Sequence, residues 1–180
     1  MAVLWKKTPP NSLRNLPRAV DVEIDMEIRK AKKEDIEHVK LLLDRNFDEV
    51  LSKYHSKAVL DKFKSHNTLE NLLSQLNWKT VYVVLEGEEI IATGAFVNFG
   101  NIAKPKYSVS NLYVLPELHP KGIGKVLFTK LLQAAKDREA NSFHVPSSKN
   151  AIAFYEKMGF AIDKKQPEKD DEITWMTMKL

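Results

Sequence analysis

Val114-Leu115-Pro116-Glu117-Leu118-His119-Pro120-Lys121-Gly122-Ile123-Gly124-Lys125 is the stretch on which the reading of this chain turns. A strand-like run ends at Val114, a proline-bearing loop spans Leu115 to Lys121, and two glycines open an amphipathic helix. The apolar face of that helix is Ile123, Val126, Leu127, Leu131 and Ala134. The first N–H groups of a helix lack internal partners, and the helix dipole places partial positive charge beside them. Glycines there let the backbone approach an anion closely, and Lys121 and Lys125 add charge. Gly-x-Gly before a helix also describes a turn that merely lets helix and strand pack closely. The Walker frame is missing, because Lys125 follows Gly124 directly. A dinucleotide-binding reading fails too, since a hairpin rather than a βαβ unit precedes the strand.

Outward from this turn the pattern resolves into elements. Upstream, Tyr107 to Val114 reads as a strand, preceded by a loop through Gly100 and Pro105. Thr80 to Leu85 and Ile90 to Phe99 form a hairpin about the polar turn Glu86-Gly87-Glu88-Glu89. Met26 to Ala31 is a short strand, followed by a helix with the stripe Ile36, Val39, Leu43 and Phe47. Lys32 stands where a capping Ser or Thr is usual. Residues 48–66 are helical but less regular, and Thr68 caps a short helix whose leucines share one face. Downstream, Ser142 to Val145 is a strand, and Lys149 to Met158 a helix stopped by Gly159. Phe160 to Lys164 and Ile173 to Lys179 are two last strands joined by a charged loop. Residues 1–25, with Pro9, Pro10 and Pro17, read as a mobile arm. Trp5 and Leu13 offer that arm apolar contacts with the domain or with a second copy, so a homodimer stays open. The domain itself is 26–180.

Composition narrows the class. Of 180 residues, 43% are hydrophobic and 29% charged, which suits one soluble domain. No apolar run is long enough for a membrane span, and the N-terminus lacks the sustained apolar segment of a secretory signal. The absence of cysteine excludes a thiol nucleophile and a thiolate metal site, and fits the cytoplasm. A net charge of +4, with Lys and Arg spread among Asp and Glu, gives no nucleic-acid stripe. His38, His55 and His66 have no metal-ligand spacing and read as surface residues, so no metal is expected.

A second segment completes the pattern: Ser148-x-x-Ala151-x-x-Phe154-Tyr155-Glu156-Lys157-x-Gly159-Phe160. With Val114-x-Pro116 and His119-x-x-Gly122-x-Gly124, it resembles the GCN5-related N-acetyltransferase (GNAT) superfamily over residues 26–180. His119 replaces the usual Arg or Gln, and Ser148 the usual Asn, whose helix-capping role Ser148 can keep. The resemblance implies an α+β fold, an α/β sandwich. Its mixed, mainly antiparallel sheet has six to seven strands, splays at a β-bulge, and carries helices on both faces. It implies acetyl-CoA as co-substrate, with its pantetheine arm between 107–114 and 142–145. Leu112, Tyr113 and Val114 would meet the pantetheine, His119, Lys121, Gly122, Ile123, Gly124 and Lys125 the pyrophosphate, and Ser148 and Tyr155 the remainder. A strand amide at Val114 or its neighbour would hold the oxyanion.

Tyr155 matches the family tyrosine near the departing sulfur and is read as its proton donor, with helix packing as the alternative. The strand 107–114 lacks the glutamate that many relatives use as base. A water relay through Ser110, Asn111 or Tyr113 is expected instead, with His144 as a second candidate. Phe47, Tyr54 and Phe63, with Asp48 and Glu49, fall where the family builds its acceptor pocket. The acidic pair there would suit a polyamine or similar small amine, with an ordinary amphipathic helix bearing solvated charges as the alternative. Transfer to protein or peptide amines, or CoA binding without turnover, are the competing functions.

Overall fold

The central hairpin folds as its β-branched and aromatic runs about a polar turn dictate, and the remaining elements are laid against it. In the computed structural model, which describes residues 26–100, 105–165 and 172–180, β2 (Thr80–Glu86) and β3 (Glu89–Asn98) pair antiparallel. Gly87 turns the chain between them at a φ of +60°, where glycine carries no Cβ penalty. β1 (Met26–Lys30) pairs antiparallel with β2, and β4 (Tyr107–Val114) with β3. β5 (Ser142–Ser147) lies parallel to β4. β7 (Thr174–Lys179) then joins β5 to the two-residue edge strand β6 (Ala161–Ile162). The seven strands run in the order β1-β2-β3-β4-β5-β7-β6, the mixed, mainly antiparallel sheet expected. The expected N-terminal arm lies outside the described residues.

Two irregularities in β4 position everything that follows. Where β3 pairs β4, the register shifts so that Gly94 faces both Asn111 and Leu112. That is a β-bulge, and Asn111 adopts a left-handed φ of +48°, a conformation that Asn tolerates better than most side chains. Before it, β4 and β5 pair only at Tyr107–Phe143 and Ser108–His144, and from there they separate. The opened edge of β4 is the expected splay.

Helices cover both faces of the sheet. α1 (Ile36–Glu49) buries its predicted stripe of Ile36, Val39, Leu43 and Phe47. Its entry is fixed by Asp35, whose carboxylate accepts from the Lys32 N–H at 2.6 Å and from both Arg29 guanidinium nitrogens at 2.6 and 2.9 Å. Lys32 itself does no capping. Ser56 caps α2 (Lys57–His66), and Thr68 caps α3 (Leu69–Gln75) as expected. The α3 leucines divide: Leu72 is buried while Leu69 and Leu73 are exposed. On the other face lies α4 (Ile123–Lys136), where Val126 points outward and Phe128 takes the core place that the sequence reading gave to Val126. Phe128 contacts Phe143 of β5, Phe160, and Phe154 and Tyr155 of α5 (Ile152–Lys157), which pins α5 beside α4. α5 ends at Gly159, whose φ of +95° is the left-handed cap foreseen. Among the described residues no helix is long and apolar enough to cross a membrane.

Candidate active site

The turn before α4 is tighter than a loop. Pro116–Lys121 forms a 3-10 turn that ends on Gly122 in the left-handed region, φ +78°, and α4 starts at Ile123. No atom lies within 4 Å of where a β-carbon on Gly122 would stand. At Gly124 the nearest atoms are in ordinary contact, Val114 Cγ2 at 3.6 Å and Phe154 at 3.8 Å. Neither glycine is demanded by internal packing at its Cβ position; Gly122 is demanded by backbone angle, and Gly124 leaves its side of the helix start open.

That open side faces a cavity of about 440 Å³ between β4, the turn, and α5. Leu112, Tyr113 and Val114 line it from the strand, and His119, Gly122, Gly124 and Lys125 from the turn and helix. Ser148 and Tyr155 complete the set that the sequence brings together. The other two were expected through their backbone amides: Lys121 is exposed without lining the cavity, and Ile123 turns its side chain into the core with 1% exposure. Lys157, not singled out from sequence, lines it as well. With Lys125 it gives the wall two cations, and no carboxylate lies among the described lining residues. Positive charge on that wall favours an anionic ligand over a cationic one.

The splayed edge of β4 is partly engaged. Leu115 donates to Ile91 across the ladder at 2.9 Å, so by antiparallel alternation Val114 turns its backbone groups toward the β5 side. The Val114 carbonyl already has two donors there, Asn46 Nδ2 and His119 Nε2, each at 3.0 Å. Pairing of a ligand with Val114 is thereby restricted to its N–H. The His119 side chain is a brace for the strand end, and donation to a carbonyl fixes the proton on Nε2. Asn46, 2% exposed on α1, also donates to Leu42 O at 3.0 Å; the sequence reading missed it. Ser148 does not cap the following turn, contrary to expectation: its hydroxyl donates to Asn150 Oδ1 at 2.7 Å.

A second cavity, about 290 Å³, adjoins the first. Leu51, Leu112, Tyr113, Ser148, Ala151 and Tyr155 wall both. Phe63 and Trp175 give the second an aromatic side, and Asn67, Ser110, Asn111 and Ser147 a polar one. The bulge delivers Asn111, whose amide donates to Asn67 Oδ1 and Gln75 Oε1, each at 3.2 Å. All three expected relay residues, Ser110, Asn111 and Tyr113, line this cavity. His144 lines neither cavity: it is half-buried, bonded to Ser142 Oγ at 3.0 Å and packed on Phe99, and burial lowers its pKa. Phe47 is core beneath Tyr113, at 5.6 Å edge to face, and Tyr54 is exposed. Asp48 pairs with Lys64 and Glu49 with Arg45, and neither lines the cavity. His55 is no surface residue. Its side chain is wholly buried, with Nδ1 3.1 Å from Glu172 Oε2.

Tyr155 sits at the junction of the two cavities, 5% exposed. Burial, with a smaller contribution from Tyr113, drives its pKa well above the phenol range. Burial alone pushes Tyr113 up to about 12. Both hydroxyls therefore keep their protons at neutral pH, so each is a donor there.

Known proteins share this frame. The structure matches that of PaiA N-acetyltransferase from Thermoplasma acidophilum in complex with coenzyme A, with a TM-score of 0.73 and 21% identity, covering 86% of this chain and 99% of that one. It also matches a predicted acetyltransferase with acetyl-CoA from Clostridium acetobutylicum, with a TM-score of 0.61 and 23% identity, covering 81% and 96%. In sequence the chain is 26% identical over 121 residues to the thialysine N-epsilon-acetyltransferase of Caenorhabditis elegans, 63% of this chain and 76% of that protein. The acetyltransferase (GNAT) domain matches residues 46–180, which takes in the bulged strand, the helix start and the Tyr155 segment. The chain belongs to the GNAT acetyltransferase family.

Proposed function

We propose that the protein binds acetyl-CoA in the larger cavity and transfers its acetyl group to a primary amine held in the smaller one, by direct attack. The observation that carries this reading is the shared wall. A cation-bearing cavity at a helix start adjoins a mixed polar and aromatic cavity, and Tyr155 stands where they meet. The Gly122, Gly124 and Lys125 turn would hold the pyrophosphate, with Lys157 adding charge. The free edge of β4 at Leu112 and the Val114 N–H would meet the pantetheine arm. The amine would attack the thioester carbon across the wall, a strand amide would hold the oxyanion, and Tyr155 would donate a proton to the leaving thiolate. Because Asp48 and Glu49 are paired away from the cavity, support for a polyamine narrows to its polar wall. The aromatic side suits an amine with an apolar stem at least as well. Acetyl-CoA and a cysteine-free chain are both consistent with the cytoplasm.

The test is acetyl-CoA consumption over polyamines, amino acids, aminoglycosides and peptides, with CoA affinity measured in parallel. Turnover on one class names the acceptor. Tight CoA binding with no turnover on any class favours a sensor instead. Gly124→Trp fills the open side of the helix start, and CoA affinity should fall about 100-fold or more with the fold intact; retained affinity would contradict the assignment.

A further inference from the structure

An amine that is protonated in solution must lose a proton before it can attack, and no carboxylate lies among the described residues of the smaller cavity. The base has to be found by contact with that wall. Lys79 stands just before β2, where its N–H donates to Gln75 O at 2.8 Å as the chain leaves α3. Its Nζ lies 2.8 Å from Ser110 Oγ, and Ser110 lines the cavity. The ammonium also packs over the Trp78 ring at 4.8 Å, and among the described ion pairs none includes it.

We propose that Lys79 takes the acceptor's proton through the Ser110 hydroxyl, which rests on the acetyl-transfer reading above. In the neutral state the bond runs from Ser110 O–H to Lys79 Nζ. The bound ammonium gives a proton to Ser110 Oγ as Ser110 passes its own to Nζ, leaving a free amine and a Lys79 ammonium. The amine lone pair forms the C–N bond at the thioester carbonyl, the C–S bond breaks as Tyr155 protonates the departing sulfur, and the second nitrogen proton restores the Tyr155 hydroxyl. Lys79 then releases its proton to solvent. Partial burial favours the neutral lysine this requires and brings its pKa down to about 8. Nearby ionisable groups do not oppose it. His66 at the end of α2 bonds Lys62 O, Arg138 packs on the Phe96 ring, and Tyr113 and Tyr155 are held neutral by burial. The amides of Gln75, Asn67 and Asn111 are uncharged.

Arginine separates charge from proton transfer, because a guanidinium does not deprotonate in proteins. In the full chain, kcat/KM for an accepted amine should rise with pH along a limb near 8. Both Lys79→Met and Lys79→Arg should lose that limb and fall about 100-fold or more, with CoA affinity within about 2-fold of the wild type. Ser110→Ala should fall similarly. Rescue by Lys79→Arg, or an unchanged limb in Lys79→Met alongside normal wild-type turnover, overturns the relay and leaves acetyl transfer standing. A wild type that binds CoA but acetylates no amine overturns acetyl transfer and the relay with it. Independently of turnover, NMR titration of isotopically labelled lysine should show Lys79 titrating near pH 8. An ordinary titration near ~10.4 overturns the relay.

Discussion

Gly94 stands across the sheet from Leu112, and a β-carbon on Gly94 would lie 3.0 Å from Leu112 Cδ1. Leu127 and Leu131 of α4 would stand at 3.1 and 3.2 Å. The residue opposite the bulge has no room for even a methyl group unless those side chains shift. The bulge that opens the edge of β4 is thus held from β3 and α4 at once.

Gly94→Ala should accordingly cost about 1–3 kcal/mol, as overpacking does, and displace Leu112 from the cavity wall. Thermal unfolding reads the first effect and CoA titration the second. An unchanged melting temperature with unchanged affinity would mean that the leucines yield freely.

His119 and Asn46 both donate to the Val114 carbonyl, so removing either leaves the other in place. His119→Phe should cost about 0.5–1.5 kcal/mol, while His119→Gln keeps a donor and should cost less. Chemical denaturation of the pair decides it: a smaller loss in His119→Phe than in His119→Gln would mean that the ring's packing matters and its N–H does not.

Tyr155→Phe removes a proton donor from the cavity junction. With chemistry limiting the rate, kcat should fall about 100-fold or more while CoA affinity holds. The raised pKa of Tyr113 and Tyr155 also sets an alkaline signature. Both phenols ionise more readily in the unfolded chain, near ~10, than in the fold, so their contribution is fully present below that pH. It is lost as pH rises from ~10 through the folded value, about 12 for Tyr113. Denaturation midpoints measured from pH 8 to 11 should drop less steeply in Tyr113→Phe than in the wild type.

Asp35 gives the opposite sign. The Arg29 guanidinium, aided by the Lys32 N–H, holds its carboxylate below the ordinary range. The stabilisation is present above the unfolded value of ~3.9 and is lost as pH falls through the folded one. Asp35→Asn should lower stability near neutrality by about 1–3 kcal/mol, and the gap should close as pH drops below ~4. A gap undiminished at pH 3 would assign the effect to packing.

The hairpin, the α1 stripe, the Gly122 turn and the Gly159 cap could be read from sequence because each rests on neighbours a few residues apart. The bulge left a fainter trace. Gly94 interrupts a β-branched strand, which marks a close approach, and Asn111 is among the few residues at ease at positive φ. Neither says which strand the other belongs to. Asn46 interrupts the buried face of α1, yet its partner Val114 lies 68 positions away, and no local pattern reaches that far. Lys79 and His55 escaped for the same reason. Burial made one a candidate base and removed the other from the surface, and burial comes from tertiary packing. Val126 shows the converse, an apolar residue at helical spacing that faces outward because Phe128 fills the space beneath α4.

The two cavities share a wall but are otherwise lined differently, one by His119, Pro120 and Lys157, the other by Asn67, Pro146 and Trp175. On the proposed reading the two reactants lodge on opposite sides of that wall and need not wait for one another. Kinetics should then show intersecting double-reciprocal lines, with both molecules resident together, and not the parallel lines of an enzyme that is loaded and emptied in turn.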